Sequence, residues 1–164
     1  MIAHLPLYIT IVFVLTVLLT LSLFLKAVKN KLITAVIVSA WLVLTGVLAY
    51  NGFYKDTSRL PPNFLLAIIP APVAMILLFA TKTGRVFIDT INLRTITLLN
   101  VVRIPVELVL FWLSVNKVIP ELMTFAGSNF DIISGITAPV MYFICFKGSF
   151  VTRPKLLLAW NFIC

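Results

Sequence analysis

Five polar residues share one face of an apolar segment in the second half of the chain. Asn100, Arg103, Glu107, Ser114 and Lys117 follow one another at steps of 3, 4, 7 and 3 residues, which keeps them on one side of a helix. Arg103 and Glu107 are four residues apart, so an ion pair between them is predicted. An arginine at the centre of a membrane helix costs about 2.5–3.5 kcal/mol on insertion scales. These residues are therefore expected to face other helices or a water-filled cavity.

Pro105 lies between the two charged residues and adds a second polar element. Proline lacks a backbone N–H, so the carbonyl of Val101 one turn back is expected to lose its helical partner and to accept a hydrogen bond from polar neighbours. One interpretation of this face is a path for a solute, an ion or a proton. The alternative is that the Arg103–Glu107 pair only locks helices together or fixes the bend at Pro105.

A second polar group occupies the segment 120–131, PELMTFAGSNFD, which is predicted to be an outer loop that can re-enter the membrane. Its carboxylate, hydroxyl and amide oxygens suit a hard cation, but their spacing matches no metal-binding loop and is also typical of an ordinary solvated loop. No catalytic or metal-ligating residue is predicted. The predicted binding residues are Asn100, Arg103, Glu107, Ser114, Glu121, Thr124, Asn129 and Asp131.

Several chemistries are not supported by the sequence. A single histidine and two cysteines give no haem-ligand or metal-ligand spacing, and neither a GxGxxG nor a P-loop pattern occurs, so no cofactor is predicted. The net charge of +8 would suggest nucleic acid in a soluble protein, but basic residues also gather in the cytoplasmic loops of membrane proteins. Nucleic acid is therefore not a predicted partner.

The elements that must position these residues are apolar helices. Hydrophobic residues make up 62% of the 164 residues and charged residues 11%, and the apolar ones come in long blocks. This composition predicts a single integral membrane domain covering residues 1–164. An amphipathic stretch, Gly84–Arg94, is predicted to be an interfacial helix. The predicted spans are Leu5–Leu25, Leu32–Tyr50, Phe64–Ala80 with a kink at Pro70 and Pro72, Ile96–Val118, and Ile132–Phe146.

The last apolar block, Leu156–Cys164, would form a helix of only about 13 Å, less than half of a bilayer. We therefore expect it to be the start of a truncated sixth span, in a chain that lacks its native C-terminus. The alternative is a short helix that lies in the membrane interface or packs against the bundle. The predicted fold class is all-α, a polytopic transmembrane helix bundle of five spans plus this sixth.

The distribution of basic residues orients the predicted spans. Segments assigned to the cytoplasm hold nine Lys and Arg residues against three in the outer segments, which places the N-terminus outside. The nine are Lys26, Lys29, Lys31, Lys82, Arg85, Arg94, Lys147, Arg153 and Lys155, and the three are Lys55, Arg59 and Lys117.

The stretch from Arg103 to Pro139 resembles a pattern found in an uncharacterised family of bacterial multi-pass inner-membrane proteins. The matching pieces are Arg-Ile-Pro-Val-Glu at 103–107, Met-Thr-Phe at 123–125, Gly127, Asn129, Asp131 and Gly-Ile-Thr-Ala-Pro at 135–139. The resemblance implies location in a bacterial inner membrane and a chain that continues beyond residue 164. It brings no activity and no functional residues with it.

Three functions fit these observations. The first is handling of a small solute, ion or proton at the polar face, as in transport. The second is a structural or assembly subunit of a membrane complex, and the third is a membrane enzyme acting on lipid. The predicted partners are the lipid bilayer, a small solute or ion, and another membrane protein or a second copy of the chain.

Overall fold

The computed structural model describes residues 5–56, 62–148 and 150–163, so Arg59 and Cys164 lie outside the described residues. The chain is mostly helical. Its α-helices in the described ranges are α1 Leu7–Ala27, α2 Lys31–Tyr50, α3 Leu65–Ile68, α4 Pro70–Ala80, α5 Lys82–Asp89, α6 Leu93–Leu99, α7 Arg103–Val115, α8 Asp131–Cys145 and α9 Pro154–Ile163.

Shorter elements connect these helices. Within the described ranges, three 3-10 turns occupy Phe53–Lys55, Asn100–Val102 and Glu121–Met123. Between α8 and α9, the chain forms an antiparallel hairpin of β1, Phe146–Lys147, and β2, Phe150–Val151. Gly148 at its turn has φ 63°, a left-handed conformation that glycine adopts without steric cost. The predicted helical fold class is thus confirmed for most of the chain, with one short hairpin in addition.

Among the described residues, three helices are long and apolar enough to cross a membrane: Leu7–Ala27, Lys31–Tyr50 and the continuous stretch Leu93–Val115. A fourth is added if Leu65–Ala80 and Lys82–Asp89 are taken together as one bent span. The helix Asp131–Cys145 has 15 residues and is about 22 Å long, shorter than a bilayer core of about 30 Å. Three membrane-length helices are thus present, and the five-span count remains a prediction.

By internal contacts, the chain divides into two compact units. One unit is Val28–Ile91. Its helices α4 and α5 meet at a 93° bend next to Thr81, whose side chain accepts a hydrogen bond from the Gly84 backbone and so caps α5. The helix predicted at Gly84–Arg94 therefore occupies Lys82–Asp89. Its location at the membrane interface remains a prediction.

The other unit, which we call the polar unit, is Met1–Ala27 together with Asn92–Cys164. Asn92 caps α6 by accepting from the Thr95 backbone, so the fourth predicted span begins at Leu93 rather than at Ile96. Helices α6 and α7 pack against α1 on one side and α8 on another, and α9 packs on α8. The core of this unit is formed by Ala138, Met141, Cys145, Phe146, Leu157 and Trp160. The single domain predicted from the sequence remains a prediction.

Candidate functional site

The stretch Leu93–Val115 is one apolar rod interrupted by a 3-10 turn at Asn100–Val102. The Asn100 carbonyl accepts the Arg103 backbone N–H where the turn passes into α7. A polar partner for the Val101 carbonyl, which Pro105 deprives of its helical donor, remains a prediction. Arg103 is the eleventh of the 23 residues, so its Cα lies at the middle of the rod.

Helix α8 runs antiparallel to this rod and starts beside its middle. A Cβ added to Gly135 would lie 2.9 Å from the Ile104 side chain and 3.3 Å from the Asn100 carbonyl oxygen, which shows how closely the two helices approach. Further along α8, the Tyr142 ring lies 4.1 Å from the Arg94 guanidinium carbon in a cation–π contact. The first turn of α8 therefore lies level with Arg103, halfway along the rod.

The segment between α7 and α8 folds back along α7 to reach that level. Phe125 stacks on Phe111 with ring centroids 5.1 Å apart. Fully buried Thr124 organises the turn: its hydroxyl donates to the Glu121 carbonyl, and its own carbonyl accepts from the Asn129 backbone. Residues 116–130, which we call the returning segment, thus end beside Glu107, two turns before the end of α7.

Arg103 pairs with Asp131, not with Glu107. Its Nη1 donates to Asp131 Oδ1 at 2.5 Å, and the two side chains are 36% and 47% exposed in the bare chain. The predicted Arg103–Glu107 ion pair is therefore wrong. The first residue of α8 supplies a carboxylate to the guanidinium, and Glu107 faces the returning segment.

Glu107 is 2% exposed and has one satisfied oxygen. Asn129 Nδ2 donates to Glu107 Oε1 at 2.6 Å, while Asn129 Oδ1 accepts from the Asp131 backbone N–H at 3.2 Å. The second carboxyl oxygen, Oε2, is buried and makes no hydrogen bond with the described residues. We call Arg103, Glu107, Asn129 and Asp131 the polar cluster.

The structure separates the remaining predicted site residues from this cluster. Asn100 donates to the carbonyls of Ile96 and Thr97 on its own helix. Ser114 is half-buried near the end of α7, and Glu121 is exposed on the returning segment. Thr124 positions Asn129 through the backbone and has its hydroxyl occupied.

Two contacts of the polar unit were absent from the sequence analysis. One is the Arg94–Tyr142 contact, in which Arg94 Nε is buried without a hydrogen-bond partner among the described residues. The other joins α9 to α8, where Trp160 Nε1 donates to the Thr137 hydroxyl at 2.9 Å. Both join residues more than 20 positions apart, a separation at which helical periodicity carries no information.

Comparison with models of protein families, with curated proteins and with solved structures found no match. The resemblance of residues 103–139 to bacterial multi-pass membrane proteins therefore remains a prediction from those residues alone.

Proposed function

We propose that this chain is a multi-pass protein of the bacterial inner membrane that handles a small solute, an ion or a proton at the polar cluster. In this proposal α1, α2, α3–α4, α6–α7 and α8 are the five spans, with the N-terminus outside and α9 belonging to a sixth. The excess of basic residues in the proposed cytoplasmic segments supports this orientation. The resemblance of residues 103–139 supports the bacterial inner membrane.

The observation that carries the proposal is the position and exposure of the Arg103–Asp131 pair. It lies at mid-length of an apolar rod of membrane length, and more than a third of each side chain is uncovered. Ionised groups at that depth are very costly against lipid, so they face water or protein. A wet cavity that reaches the pair is the arrangement that solute or ion handling requires.

The interrupted geometry around the pair adds support. Helix α8 starts at mid-length, and the chain reaches it through a non-helical segment that folds back along α7. Non-helical backbone at membrane depth is tolerated where it is buried in protein or lines a water-filled cavity. Short, interrupted helices whose ends meet near the bilayer midplane are a common way to build binding sites in transporters.

Thiol labelling tests whether water reaches the pair. Asp131→Cys would be compared with Ile136→Cys, both in a chain with Cys145 and Cys164 replaced by alanine. Ile136 follows Gly135, which lies beside Ile104, and it is 57% exposed in the bare chain, more than Asp131. If the reagent labelled every exposed residue, Ile136→Cys would react at least as well as Asp131→Cys. Labelling at residue 131 alone therefore reports contact with water and not exposure as such.

A membrane-impermeant maleimide would be added to membrane vesicles of both orientations. We expect labelling at residue 131 and none at residue 136, because maleimides react with hydrated thiolates. Absence of labelling at both positions would contradict the proposal and favour the structural or assembly subunit, in which a partner protein covers the pair. Labelling at both would contradict the embedding of α8.

A further inference from the structure

The polar cluster contains one more carboxyl group than cations. Arg103 is paired with Asp131, which leaves Glu107 as the second carboxyl of the cluster. An amide donor, Asn129, satisfies Oε1 without neutralising it. A buried charge without a counter-charge is far more costly than a neutral polar group, and more so in a membrane.

The elements packed around Glu107 bring few charged groups near its carboxyl. Arg103 on the same helix and Asp131 on α8 are the charged side chains near the carboxyl. The returning segment contributes the Asn129 amide and the backbone of Phe125, which are neutral. From α1, the titratable side chain before Lys26 is Tyr8, whose ring lies against Trp112. Within the described residues, no second positive side chain reaches this carboxyl.

The unpaired Oε2 is the carboxyl atom that is free to bind a positive charge. It is buried in a side chain that is 2% exposed, and it belongs to the residue that anchors the returning segment through Asn129. Resting on the proposed function, we infer that Glu107 Oε2 is the binding atom for one monovalent cation, either a proton or an alkali ion such as Na⁺. Binding completes the charge balance of the cluster and leaves the Arg103–Asp131 pair intact.

Hydrogen bonds of Asn129 also link the proposed cation site to the start of α8. Asn129 connects the Glu107 carboxyl to the start of α8, because its amide donates to Oε1 and its oxygen accepts from the Asp131 backbone. Loss of the cation would leave an uncompensated carboxylate beside Asp131 and favour movement of the returning segment away from α7. Occupancy of Oε2 therefore biases the position of the first turn of α8.

Thermal unfolding of the full chain in nanodiscs tests the inference. Tm would be measured against pH in choline chloride, and against Na⁺ at fixed pH and ionic strength, for the wild type, Glu107→Gln and Glu121→Gln. Glutamine keeps the acceptor for Asn129 and removes the charge. Glu121 is an exposed carboxyl on the same segment and serves as the matched control.

We expect the wild type and Glu121→Gln to lose stability together when the cation is withdrawn, and Glu107→Gln to lose that dependence. A dependence on pH alone identifies a proton as the ligand. A rise in Tm with Na⁺ that weakens at low pH identifies an alkali ion competing with the proton. If Glu107→Gln keeps the dependence of the wild type on both, the inference is overturned.

An infrared difference spectrum of the wild type provides a readout that needs no stable variant. A change in the carboxyl bands on pH change or Na⁺ addition, absent from Glu107→Gln when that variant folds, supports the site. Wild-type carboxyl bands that stay unchanged on both pH change and Na⁺ addition overturn it. Labelling of Asp131→Cys is independent of both results, so the proposed function can survive a failure of this site.

Discussion

The unit Val28–Ile91 and the polar unit are both made of apolar helices, but they bury different residues. In α2, a helix of 20 residues, only Thr34 is buried, and α4 buries none. The polar unit buries Glu107, Thr124 and Ser134 together with a core on α8 and α9. In Val28–Ile91, the helix long and apolar enough by itself to cross a membrane, α2, thus exposes nearly all of its apolar side chains.

The difference in buried residues indicates that specific helix–helix contacts are concentrated in the polar unit. Apolar surface against lipid gains little from burial, so close helix packing in membranes relies on small residues and polar contacts. The polar unit has both, at Gly135 and in the polar cluster. Matched substitutions in the two units therefore test whether the contrast is one of energetics as well as of geometry.

The largest effect is expected at Asp131. Asp131→Leu leaves Arg103 without its counter-charge at mid-length of the rod. Insertion scales, about 2.5–3.5 kcal/mol for an arginine at the helix centre, give the upper end of the expected loss because water reaches the pair. Arg103→Leu together with Asp131→Leu should recover most of this loss, because replacing a whole ion pair by apolar groups is often nearly neutral. Free energies of unfolding in mixed micelles would measure both. A double variant as unstable as the single one would contradict the pairing.

Glycine substitutions give the next contrast. Gly135→Ala places a Cβ 3.1 Å from the Ile104 backbone nitrogen and should cost about 1–3 kcal/mol through overpacking. Gly46→Ala in α2 meets nothing within 4 Å and should stabilise the helix by about 0.5–1 kcal/mol. Unfolding midpoints of the two variants should therefore move in opposite directions. Equal shifts of the two unfolding midpoints would contradict the claim that the polar unit is more tightly packed than Val28–Ile91.

The smallest effect is expected at the tryptophans. Trp160→Phe removes the hydrogen bond to the Thr137 hydroxyl and should cost about 1 kcal/mol. Trp41→Phe, on an exposed position of α2, should change stability by less than about 0.5 kcal/mol. Tryptophan fluorescence during denaturant unfolding measures both. A larger loss at Trp41 would indicate a specific contact that the first unit makes in the membrane.

Much of the helical framework was predictable because apolar block length and capping residues act locally. Leu32–Tyr50 was predicted within one residue of α2, and Ile132–Phe146 within one residue of α8. The start of the fourth predicted span was missed by three residues because the Asn92 cap was overlooked.

The pairing inside the site was predicted incorrectly for a physical reason. Spacing of four residues permits Arg103 and Glu107 to meet, but it carries no information about competing partners. Asp131 and Asn129 reach the same level only because the returning segment folds back along α7 and Gly135 lets α8 approach closely. These are long-range contacts, whereas the residue types at 120–131 predict only an outer loop for Asn129 and Asp131.

The most direct test of a water-reachable ion pair at mid-span is charge restoration at residue 131. Asp131→Cys, in the chain without other cysteines, would be treated with an anionic and a cationic methanethiosulfonate of similar size, and both the reaction and the Tm would be followed. We predict that both reagents react and that only the anionic one, which returns a negative charge beside Arg103, raises the Tm toward that of the wild type. Failure of both reagents to react with the folded protein, or equal Tm changes with either charge, would contradict the account.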